Sequence, residues 1–451
     1  MAKEKVTIGN EGIYDARQLG VPKMITLGLQ HMFAMFGATV LVPALTGLSV
    51  SATLLFAGLG TLLFHFLAKG KVPAFLGSSF AFLAGYGAIA PNGEKELLPY
   101  ACVGVACAGL LYLVLAGLVK AFGAKKVMTF FPPVVTGPII IAIGLTLSSS
   151  AINNCKANWL VAVVAIAIVI VCNIWGKGMI KIVPIIIGVI GSYLVAVAMG
   201  DVDFTTVKEA SWIGLPFKFE DTVFSLFKNP DVSLIVTAII TIMTISIATM
   251  VEHIGDISAI SSTVGKNYIE EPGLHRTLLG DGLATTVASL FGAPANTTYG
   301  ENTGVLSLTK VYDPRVIRIA AYFAIFFSFS PKFAALVSSM PTATIGGVSL
   351  VLYGMISAVG VRNVVENKVD FTKNRNVIIA ALILVLSIGI KFTSVYNAAG
   401  EEVIAGGINF AIGSVNISLS GLAVAAIVGI VLNAILPGKD YDFGSEEAKE
   451  E

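Results

Sequence analysis

Pro294-Ala-Asn-Thr-Thr-Tyr-Gly-Glu-Asn-Thr-Gly-Val-Leu-Ser-Leu-Thr309 is a polar segment that lies between two strongly apolar ones. Residues 296–299 favour extended or turn backbone, and Gly300 permits the close approach of another group. From Asn302 onward the chain can form one or two helical turns. A strand followed by a half-helix at membrane depth leaves backbone groups unpaired, which is tolerated only beside a cavity or inside protein. The positive end of the half-helix points toward Glu301, so the segment predicts a binding site in a transporter.

The composition of the 451-residue chain is that of a membrane protein. Hydrophobic residues make up 55% of it and charged residues only 13%, whereas a soluble protein has about 25% charged residues. Apolar runs of nearly twenty residues recur along the chain, as a hydrocarbon layer of ~30 Å requires. The net charge of +1 and the absence of a long basic patch predict no nucleic-acid partner. No spacing typical of metal ligands appears, so neither a metal nor a cofactor is predicted.

Fourteen spans are predicted, seven on each side of the polar segment 201–231. Their approximate bounds are 24–46, 51–68, 72–91, 98–122, 134–153, 159–176, 180–200, 232–256, 275–292, 296–310, 315–338, 342–360, 376–391 and 418–437. The third and tenth are irregular and are expected to contain short strands in an otherwise all-α protein. The segment 201–231 is either an aromatic-rich segment at the outer interface or an ordinary connecting loop.

Lysine and arginine predict the orientation. With the N-terminus inside, the inner segments hold 22 of the 29 lysines and arginines, as the positive-inside rule requires. Residues 1–23 lack the apolar core of a secretory signal. We therefore expect a multi-pass protein of the cell membrane with both termini in the cytoplasm.

An odd number of spans in each half predicts that the halves are inverted relative to one another. Three pairs of motifs occur in the same order in both halves: Gln30-His31 with Glu252-His253, Pro73–Phe80 with Pro294–Tyr299, and Pro132–Gly137 with Pro341–Gly346. Paired interrupted segments in corresponding positions indicate the binding site of a transporter. The sequence therefore predicts two inverted seven-span repeats that cross at spans three and ten.

Carboxylates at membrane depth are costly, so each of them requires a reason. Glu252 and Asp256 are four residues apart, which places them on one helical face and lets each affect the pKa of the other. A buried carboxyl group near another one suits proton coupling. Alternatively, Asp256 lies among the cytoplasmic headgroups and is only solvated.

The broken segment supplies a further carboxylate and an aromatic ring. Glu301, directly after Gly300, is expected to accept N–H bonds from a planar heterocycle, as is Glu252; the alternative for Glu301 is a structural helix cap. Phe80 and Tyr299 are expected to face each other across the crossing and to stack on a flat ring. Packing in the core is the competing account for both rings.

Polar residues of spans one, nine, ten and twelve complete the candidate site: Gln30, His31, Asp281, Asn302, Ser349 and Tyr353. His31 is expected to hydrogen-bond the broken segments or to be a satisfied core histidine, and Asn302 to tie the broken backbone together. Asp281 belongs either to a polar network around the site or to a helix cap. Ser349 and Tyr353 are four residues apart and can face the substrate from the other half.

The run Glu-Asn-x-Gly-x4-Thr-Lys, residues 301–310, resembles the signature of the nucleobase–ascorbate transporters, also called nucleobase–cation symporters. Gln30-His31, Gly77–Phe80, Glu252-His253 and Tyr299–Asn302 are similar to motifs of the bacterial uracil-transporting members. The resemblance covers nearly the whole chain. It implies a core domain (24–122 and 232–340), a gate domain (123–200 and 341–437) and dimers formed through the gate domain. The remaining regions would be a cytoplasmic N-terminus (1–23), an outer connection (201–231) and a cytoplasmic tail (438–451).

The resemblance also implies which residues bind the base. These are the side chains of Glu252, Glu301 and Phe80 and the backbone at Phe80 and Gly300, with Ser79, Tyr299, Ser349 and Tyr353 in support. Asp256 departs from the pattern, because uracil members carry histidine there whereas xanthine and urate members carry aspartate. Asp281 is likewise closer to the purine pattern. Purine members usually have glutamine in place of Glu301, and this position favours uracil; proton coupling is expected for a bacterial member.

Rival functions are less compatible with these residues. Xanthine or another purine is the alternative substrate. A sulfate or bicarbonate transporter of seven-plus-seven architecture would bring an anion against the carboxylates Glu252 and Glu301. A channel would show neither saturation nor counterflow. No nucleophile–base pair or phosphate loop appears, so an enzyme is not predicted.

Overall fold

The computed structural model describes residues 11–396, 402–404, 406–413 and 415–439. The first ten residues of the predicted cytoplasmic N-terminus and most of the predicted tail, from residue 440 onward, lie outside the described residues. The side chain of Glu301 also lies outside the described part, although its backbone belongs to a helix.

Most of the described chain is helical. The α-helices are α1 (Val21–Thr46), α2 (Val50–Leu67), α3 (Leu83–Ile89), α4 (Leu98–Phe122), α5 (Ala124–Met128), α6 (Pro133–Cys155), α7 (Trp159–Trp175), α8 (Met179–Ile182), α9 (Pro184–Met199), α10 (Thr205–Glu209), α11 (Val232–Met243), α12 (Ser246–Val264), α13 (Leu274–Leu290), α14 (Gly300–Thr309), α15 (Pro314–Ser328), α16 (Pro331–Ser338), α17 (Thr342–Glu366), α18 (Asn374–Lys391) and α19 (Gly421–Ile435). The strands are β1 (Leu76–Ser78), β2 (Asn296–Thr298), β3 (Ser394–Tyr396), β4 (Glu402–Ile404), β5 (Gly407–Ile412) and β6 (Val415–Ser420).

Seven of the described helical units are long and apolar enough to cross a membrane. They are α1, α2, α4, α6, the pair α11 and α12 (Val232–Val264), α17 and α18. Helices α7, α9 and α19 are apolar but shorter. The chain is therefore a multi-pass membrane protein, with at least seven candidate spans among the described residues.

The structure refines two predictions about the secondary structure. The predicted span 315–338 is a bent pair of helices, because α15 and α16 meet at an angle of 90°. Pro331 restricts the preceding residue, and the Ser330 side chain accepts a hydrogen bond from the Phe333 N–H as the cap of a new helix. The all-α class is also incomplete, since β3 pairs with β4 and β5 pairs with β6 between α18 and α19.

The predicted interruptions of the third and tenth segments are present. Strands β1 and β2 pair antiparallel, with Leu76 opposite Thr298 and Ser78 opposite Asn296. Each strand leads into a short helix, α3 after β1 and α14 after β2. The two broken segments therefore meet at a small sheet inside the protein.

Helices α6 and α17, whose starts share the predicted repeat motif, pack closely along their length. A Cβ atom added at Gly144 would lie 2.2 Å from the carbonyl oxygen of Tyr353, and one at Gly360 would lie 2.5 Å from the backbone nitrogen of Ile141. Only glycine permits this approach of two backbones. The contact brings the face of α17 that carries Ser349 and Tyr353 toward the centre of the protein.

The segment 201–231 contains α10 and two 3₁₀ turns, Phe219–Asp221 and Val223–Lys228. Its aromatic residues are used in two ways. The rings of Phe217 and Phe224 pack on Phe291, at centroid distances of 5.4 and 5.5 Å, whereas Trp212 and Phe227 are exposed. Part of this segment therefore anchors itself to the end of α13.

Candidate functional site

Hydrogen bonds with neighbouring helices hold the β1–β2 crossing in place. The Leu76 N–H donates to Thr61 Oγ1 of α2 (2.9 Å), and Ser78 Oγ donates to the Thr39 carbonyl of α1 (2.6 Å). Asn296 Nδ2 donates to the Phe56 carbonyl, and Thr285 Oγ1 of α13 donates to the Asn296 carbonyl (2.6 Å). Three helices therefore supply the hydrogen bonds that such short strands leave unmade, as burial requires.

The aromatic residues at the crossing are arranged differently from the prediction. Tyr299 covers Gly77, and its hydroxyl donates to the Ser78 carbonyl at 2.7 Å. The described ring partner of Phe80 is instead Tyr353 of α17, edge-on at a centroid distance of 5.6 Å. Tyr299 thus locks the two strands together, while Phe80 lies where the crossing meets α17.

The carboxylates of α12 lie beside the second broken segment. Asp256 is only 8% exposed and accepts a hydrogen bond from Thr298 Oγ1 of β2 at 3.1 Å. A Cβ atom added at Gly300 would lie 3.8 Å from Asp256 Oδ1. Glu252 is half-buried one turn earlier. Asp256 is therefore buried in the protein rather than solvated, and α12 continues two turns past it, to Val264.

A buried polar cluster lies behind Asp256. Asp281 Oδ2 of α13 lies 3.1 Å from His253 Nδ1, and both side chains are fully buried. His253 Nε2 is 3.1 Å from Thr277 Oγ1, and His253 Nδ1 is 3.3 Å from Thr298 Oγ1. Of the two alternatives for Asp281, the polar network is the one present. The cluster connects α13, α12 and β2 in a single set of contacts.

Helix α1 contacts α14 through the predicted pair. Asn302 Nδ2 lies 3.2 Å from His31 Nδ1 and donates to the His31 carbonyl at 3.3 Å. Both side chains are buried, as is the neighbouring Gln30. Asn302 Oδ1 and His31 Nε2 are buried without a hydrogen-bond partner among the described residues. Unpaired buried polar atoms are costly, so these two atoms are candidates for contact with a ligand.

The remaining predicted residues lie beside the crossing, on α14 and on α17. Ser79 and Ser349 are buried, and Tyr353 is only 1% exposed. Ser79 Oγ has no hydrogen-bond partner among the described residues. Glu301 occupies the second position of α14, and its side chain lies outside the described part. The candidate residues are therefore carried by α1, α12, α13, α14, α17 and the crossing.

A cavity of 690 Å³ opens beyond α3, between α11 and the hairpin β5–β6. Lys391, Thr237, Thr241 and Asn409 are among its lining residues. A narrower space of 20 Å³ shares Ala84 and Lys391 with it and reaches Ala81, the residue after Phe80. Open space therefore approaches the crossing from the side of α3.

Within the described residues, no group of three or more histidine, cysteine, aspartate or glutamate side chains is placed to hold a metal ion. The arrangement of the site instead provides acceptors, hydroxyl groups and aromatic faces. These groups suit recognition of a small planar polar molecule.

Residues 22–395 match the model of a permease family, and relatives extend the match to nearly the whole chain. A uracil permease of Bacillus subtilis is 40% identical over 97% of both chains, and one of Bacillus caldolyticus is 41% identical over 93% of both. The chain belongs to this permease family. A uracil permease of Escherichia coli K12 is 37% identical over 91% of this permease and 90% of its own length. The resemblance to the nucleobase–ascorbate transporters is confirmed, and the protein is a transporter rather than an enzyme.

Solved structures show the same fold at low sequence identity. The transmembrane domain of the cyanobacterial bicarbonate transporter BicA has a TM-score of 0.61 and 14% identity, covering 94% of the permease and 99% of that domain. SLC26A9 has a TM-score of 0.60 and 12% identity, covering 93% of the permease and 66% of that chain. At such identities the likeness concerns the fold alone.

Sequence reasoning missed the residues that support the site of the permease. Thr61 and Thr285 each hydrogen-bond a strand, yet threonine in an apolar helix is unremarkable in a sequence. Thr298 of β2 hydrogen-bonds the Asp256 carboxylate. In the Glu252-His253 motif, the buried contacts of His253 with Asp281 and Thr277 were not predicted. A histidine in a span with an aspartate in a neighbouring one was the available signal.

Proposed function

We propose that this permease takes up a nucleobase, with uracil preferred, across the plasma membrane by proton-coupled alternating access. The observation that carries the proposal is the β1–β2 crossing, with Phe80 on one broken segment and Gly300-Glu301 on the other, beside the carboxylates of α12. The three relatives described above, of 37–41% identity, are uracil permeases, which supports the choice of substrate.

We propose that two kinds of group recognise the base: charged carboxylates and aromatic rings. Uracil presents N–H donors in the plane of its ring, and the carboxylates of Glu252 and Glu301 accept charge-assisted hydrogen bonds. Phe80 offers a ring face, with Tyr353 edge-on behind it. Backbone groups at Phe80 and Gly300 and the hydroxyl of Ser79 complete the set, with Tyr299, Ser349 and Tyr353 supporting it.

Xanthine is the second candidate substrate, and Asp256 and Asp281 favour it. Both residues are buried, and their carboxyl groups lie beside β2. They therefore make the surroundings of Thr298 and Gly300 more acidic. Competition decides between the substrates: uptake of labelled uracil is measured in a permease-deficient host with unlabelled uracil, xanthine, adenine or ascorbate in excess. We expect inhibition by uracil well below the concentration at which xanthine inhibits. The reverse order would overturn the choice of uracil.

We further propose fourteen spans arranged as two inverted repeats, in a core domain (24–122 and 232–340) and a gate domain (123–200 and 341–437). The matching positions of β1 and β2 and the close contact of α6 with α17 support the repeat. The lysine and arginine distribution supports cytoplasmic termini. A homodimer formed through the gate domain is proposed on the family resemblance.

Glu252 is the proposed proton carrier, with Asp256 as its modulator and His31 next in line. A coupling proton must bind a group whose affinity for it differs between the outward and inward states. Glu252 lies on the same helical face as Asp256, which is held by Thr298 of the broken segment, so movement at the crossing changes the surroundings of both.

Substitution of each carboxylate tests this assignment. Glu252→Gln should abolish uracil accumulation driven by a pH gradient, whereas Asp256→Asn should weaken coupling but leave counterflow exchange largely intact. Uptake with an imposed gradient and counterflow without one are measured for both variants. Gradient-driven accumulation by Glu252→Gln would move the proton to another group.

Anion transport, which the name of BicA states for bicarbonate, is not proposed for this chain. The Asp256 carboxylate of α12 lies beside the crossing, with Glu252 one turn earlier, and these charges would repel an anion. The likeness in fold therefore does not extend to the substrate.

A further inference from the structure

Residues 11–20, which precede α1, fold against the chain that leaves α14. The Ile13 N–H donates to the Lys310 carbonyl at 2.7 Å, and the Tyr312 N–H donates to the Ile13 carbonyl at 2.8 Å. Ile13 and Val311 thereby form a parallel bridge. Lys310 is the left-handed cap of α14, with φ of +53°. The N-terminal segment, defined here as residues 11–20, is therefore bonded to the residues that end the half-helix.

The same segment contacts the C-terminal end of α12. The Tyr14 hydroxyl donates to the Val264 carbonyl at 2.7 Å, which satisfies one of the carbonyl groups that a helix end leaves unpaired. Lys266 Nζ lies 4.4 Å from the centre of the Tyr14 ring, within the range of a cation–π contact. The Tyr14 ring also lies 5.4 Å from that of Tyr312. One residue thus joins the ends of α12 and α14.

Charged groups fasten the segment to the start of α15. Asp313 Oδ2 accepts from the Ala16 N–H at 2.8 Å, while Asp313 Oδ1 accepts from the Arg315 N–H as the cap of α15. Arg315 also donates to Asp15 at 2.8 Å. The Arg17 guanidinium holds the pKa of the Asp15 carboxyl well below its usual range, so this group stays ionised at neutral pH. The N-terminal segment is therefore attached to the start of α15 by hydrogen bonds between particular polar partners.

Apolar burial accompanies these bonds. Ile13, Ala16 and Leu19 form a cluster with Leu27, Val311 and Val316. Burial of such apolar side chains stabilises the contact through the hydrophobic effect. The segment is thus held in place by its own small core and not by surface charges alone.

We propose that the N-terminal segment positions the two substrate-binding helices relative to one another. It joins the C-terminal ends of α12, which carries Glu252 and Asp256, and of α14, which carries Glu301. The inference rests on the proposed function, because it assumes that the base binds between these helices. Ile13 and Tyr14 are positioning residues, since they lie far from the crossing and act through the helices.

Geometry explains why the far end of α14 matters. The helix has ten residues, so it is about 15 Å long. A tilt of the helix at Lys310 therefore displaces Glu301 at its other end. Strand pairing with β1 holds the end of α14 nearest β2. A binding site requires its groups to be placed within about 0.5 Å. The bonds of Ile13 supply the second point that fixes the direction of the helix.

Hydrogen exchange on the full-length protein tests the proposal through reciprocity. If the segment favours the geometry that binds the base, the base must stabilise the segment by the same factor. Exchange of the amides of residues 11–14 and 310–313 is therefore expected to slow at least threefold when the base is added. The amides of α7 serve as the control. A purely structural attachment would not respond to the base.

Two variants complete the test. Ile13→Pro removes the N–H that donates to Lys310, and Tyr14→Phe removes only the hydroxyl bonded to Val264. Loss of one hydrogen bond that favours the binding geometry should raise the Kd for the base roughly two- to thirteenfold. Ile13→Val, which keeps both backbone bonds, should restore the wild-type Kd, with similar thermal midpoints for the ligand-free proteins. If Ile13→Pro does not fold, Tyr14→Phe and the exchange measurement decide.

Unchanged Kd values together with exchange at residues 11–14 that ignores the base would overturn the proposal. The measurements are made with whichever base the protein binds in the competition assay. Failure to bind uracil would therefore overturn the proposed substrate and leave this test in place.

Discussion

The two half-helices that leave the β1–β2 crossing differ in construction. Helix α3 begins at Leu83, five residues after the end of β1, and has seven mainly apolar residues. Helix α14 begins at Gly300, two residues after the end of β2, and opens with Glu301 and Asn302. The far end of α3 borders a cavity of 690 Å³, whereas the far end of α14 is bonded to residues 11–20.

This difference indicates a division of labour between two segments that share a motif. In the proposed site the first segment provides a ring and a serine hydroxyl, and it borders the open space beside α3. The second would provide the carboxylate of Glu301 and is fixed at both ends, by β1 at one and by Ile13 at the other. The two segments therefore match in the strands that meet and differ beyond them. Substitutions in the two segments should therefore have different effects.

The largest expected effect is on binding, from Glu301→Gln. An amide is a poorer acceptor than a carboxylate and can present an N–H instead. Loss of a charge-assisted hydrogen bond costs about 1.5–3 kcal/mol, so the affinity for uracil should fall roughly ten- to a hundredfold. Calorimetry on the purified protein measures this, with Glu209→Gln on the exposed helix α10 as the control. Wild-type affinity in Glu301→Gln would show that Glu301 does not bind the base. The proposed difference in charge between the two segments would then be wrong.

The next effect is on stability, from Gly77→Ala in β1. A Cβ atom there would lie 2.5 Å from Tyr299 Cε2 and 2.8 Å from Thr39 Oγ1, so the crossing must shift. Overpacking of this kind costs about 1–3 kcal/mol. We expect a lower thermal midpoint and weaker uracil binding. Gly87→Ala on α3 is the matched control, because nothing lies within 4 Å of its added Cβ atom. Equal midpoints for the two variants would show that the strands are not packed as described.

The sequence predicted the parts of this contrast that are local. Polar turn-forming residues at 294–299 predicted a break inside an apolar region, and the shared Pro-Ala motif predicted its counterpart at 73–80. The pairing of β1 with β2 bears out both. The contact of Asn302 with His31 was also within reach, because both are polar residues in spans that have few of them.

Contacts set by tertiary packing were beyond such reasoning. Phe80 meets Tyr353 rather than Tyr299, because α17 approaches the crossing through its glycine contact with α6. The Tyr14 hydroxyl donates to the carbonyl of Val264, 250 positions away, and no sequence periodicity predicts such a contact. The bend between α15 and α16 was predictable from Ser330-Pro331, since serine caps a helix and proline starts one. The apolar residues on both sides of Ser330-Pro331 nevertheless favoured the prediction of one continuous span.

The smallest expected effect is on stability, from Gly300→Ala, and it sharpens the comparison with Gly77. The nearest described atom to an added Cβ is Asp256 Oδ1 at 3.8 Å, an ordinary contact. Gly300 is the first residue of α14, and alanine favours a helix over glycine by up to about 1 kcal/mol. The thermal midpoint of the ligand-free protein should therefore stay the same or rise slightly. Binding gives the second readout: if the Gly300 backbone contacts the base, the methyl group obstructs it and the Kd for uracil rises while the midpoint does not fall. A midpoint as low as that of Gly77→Ala would show that both glycines serve packing alone, and the two segments would then be equivalent at the crossing.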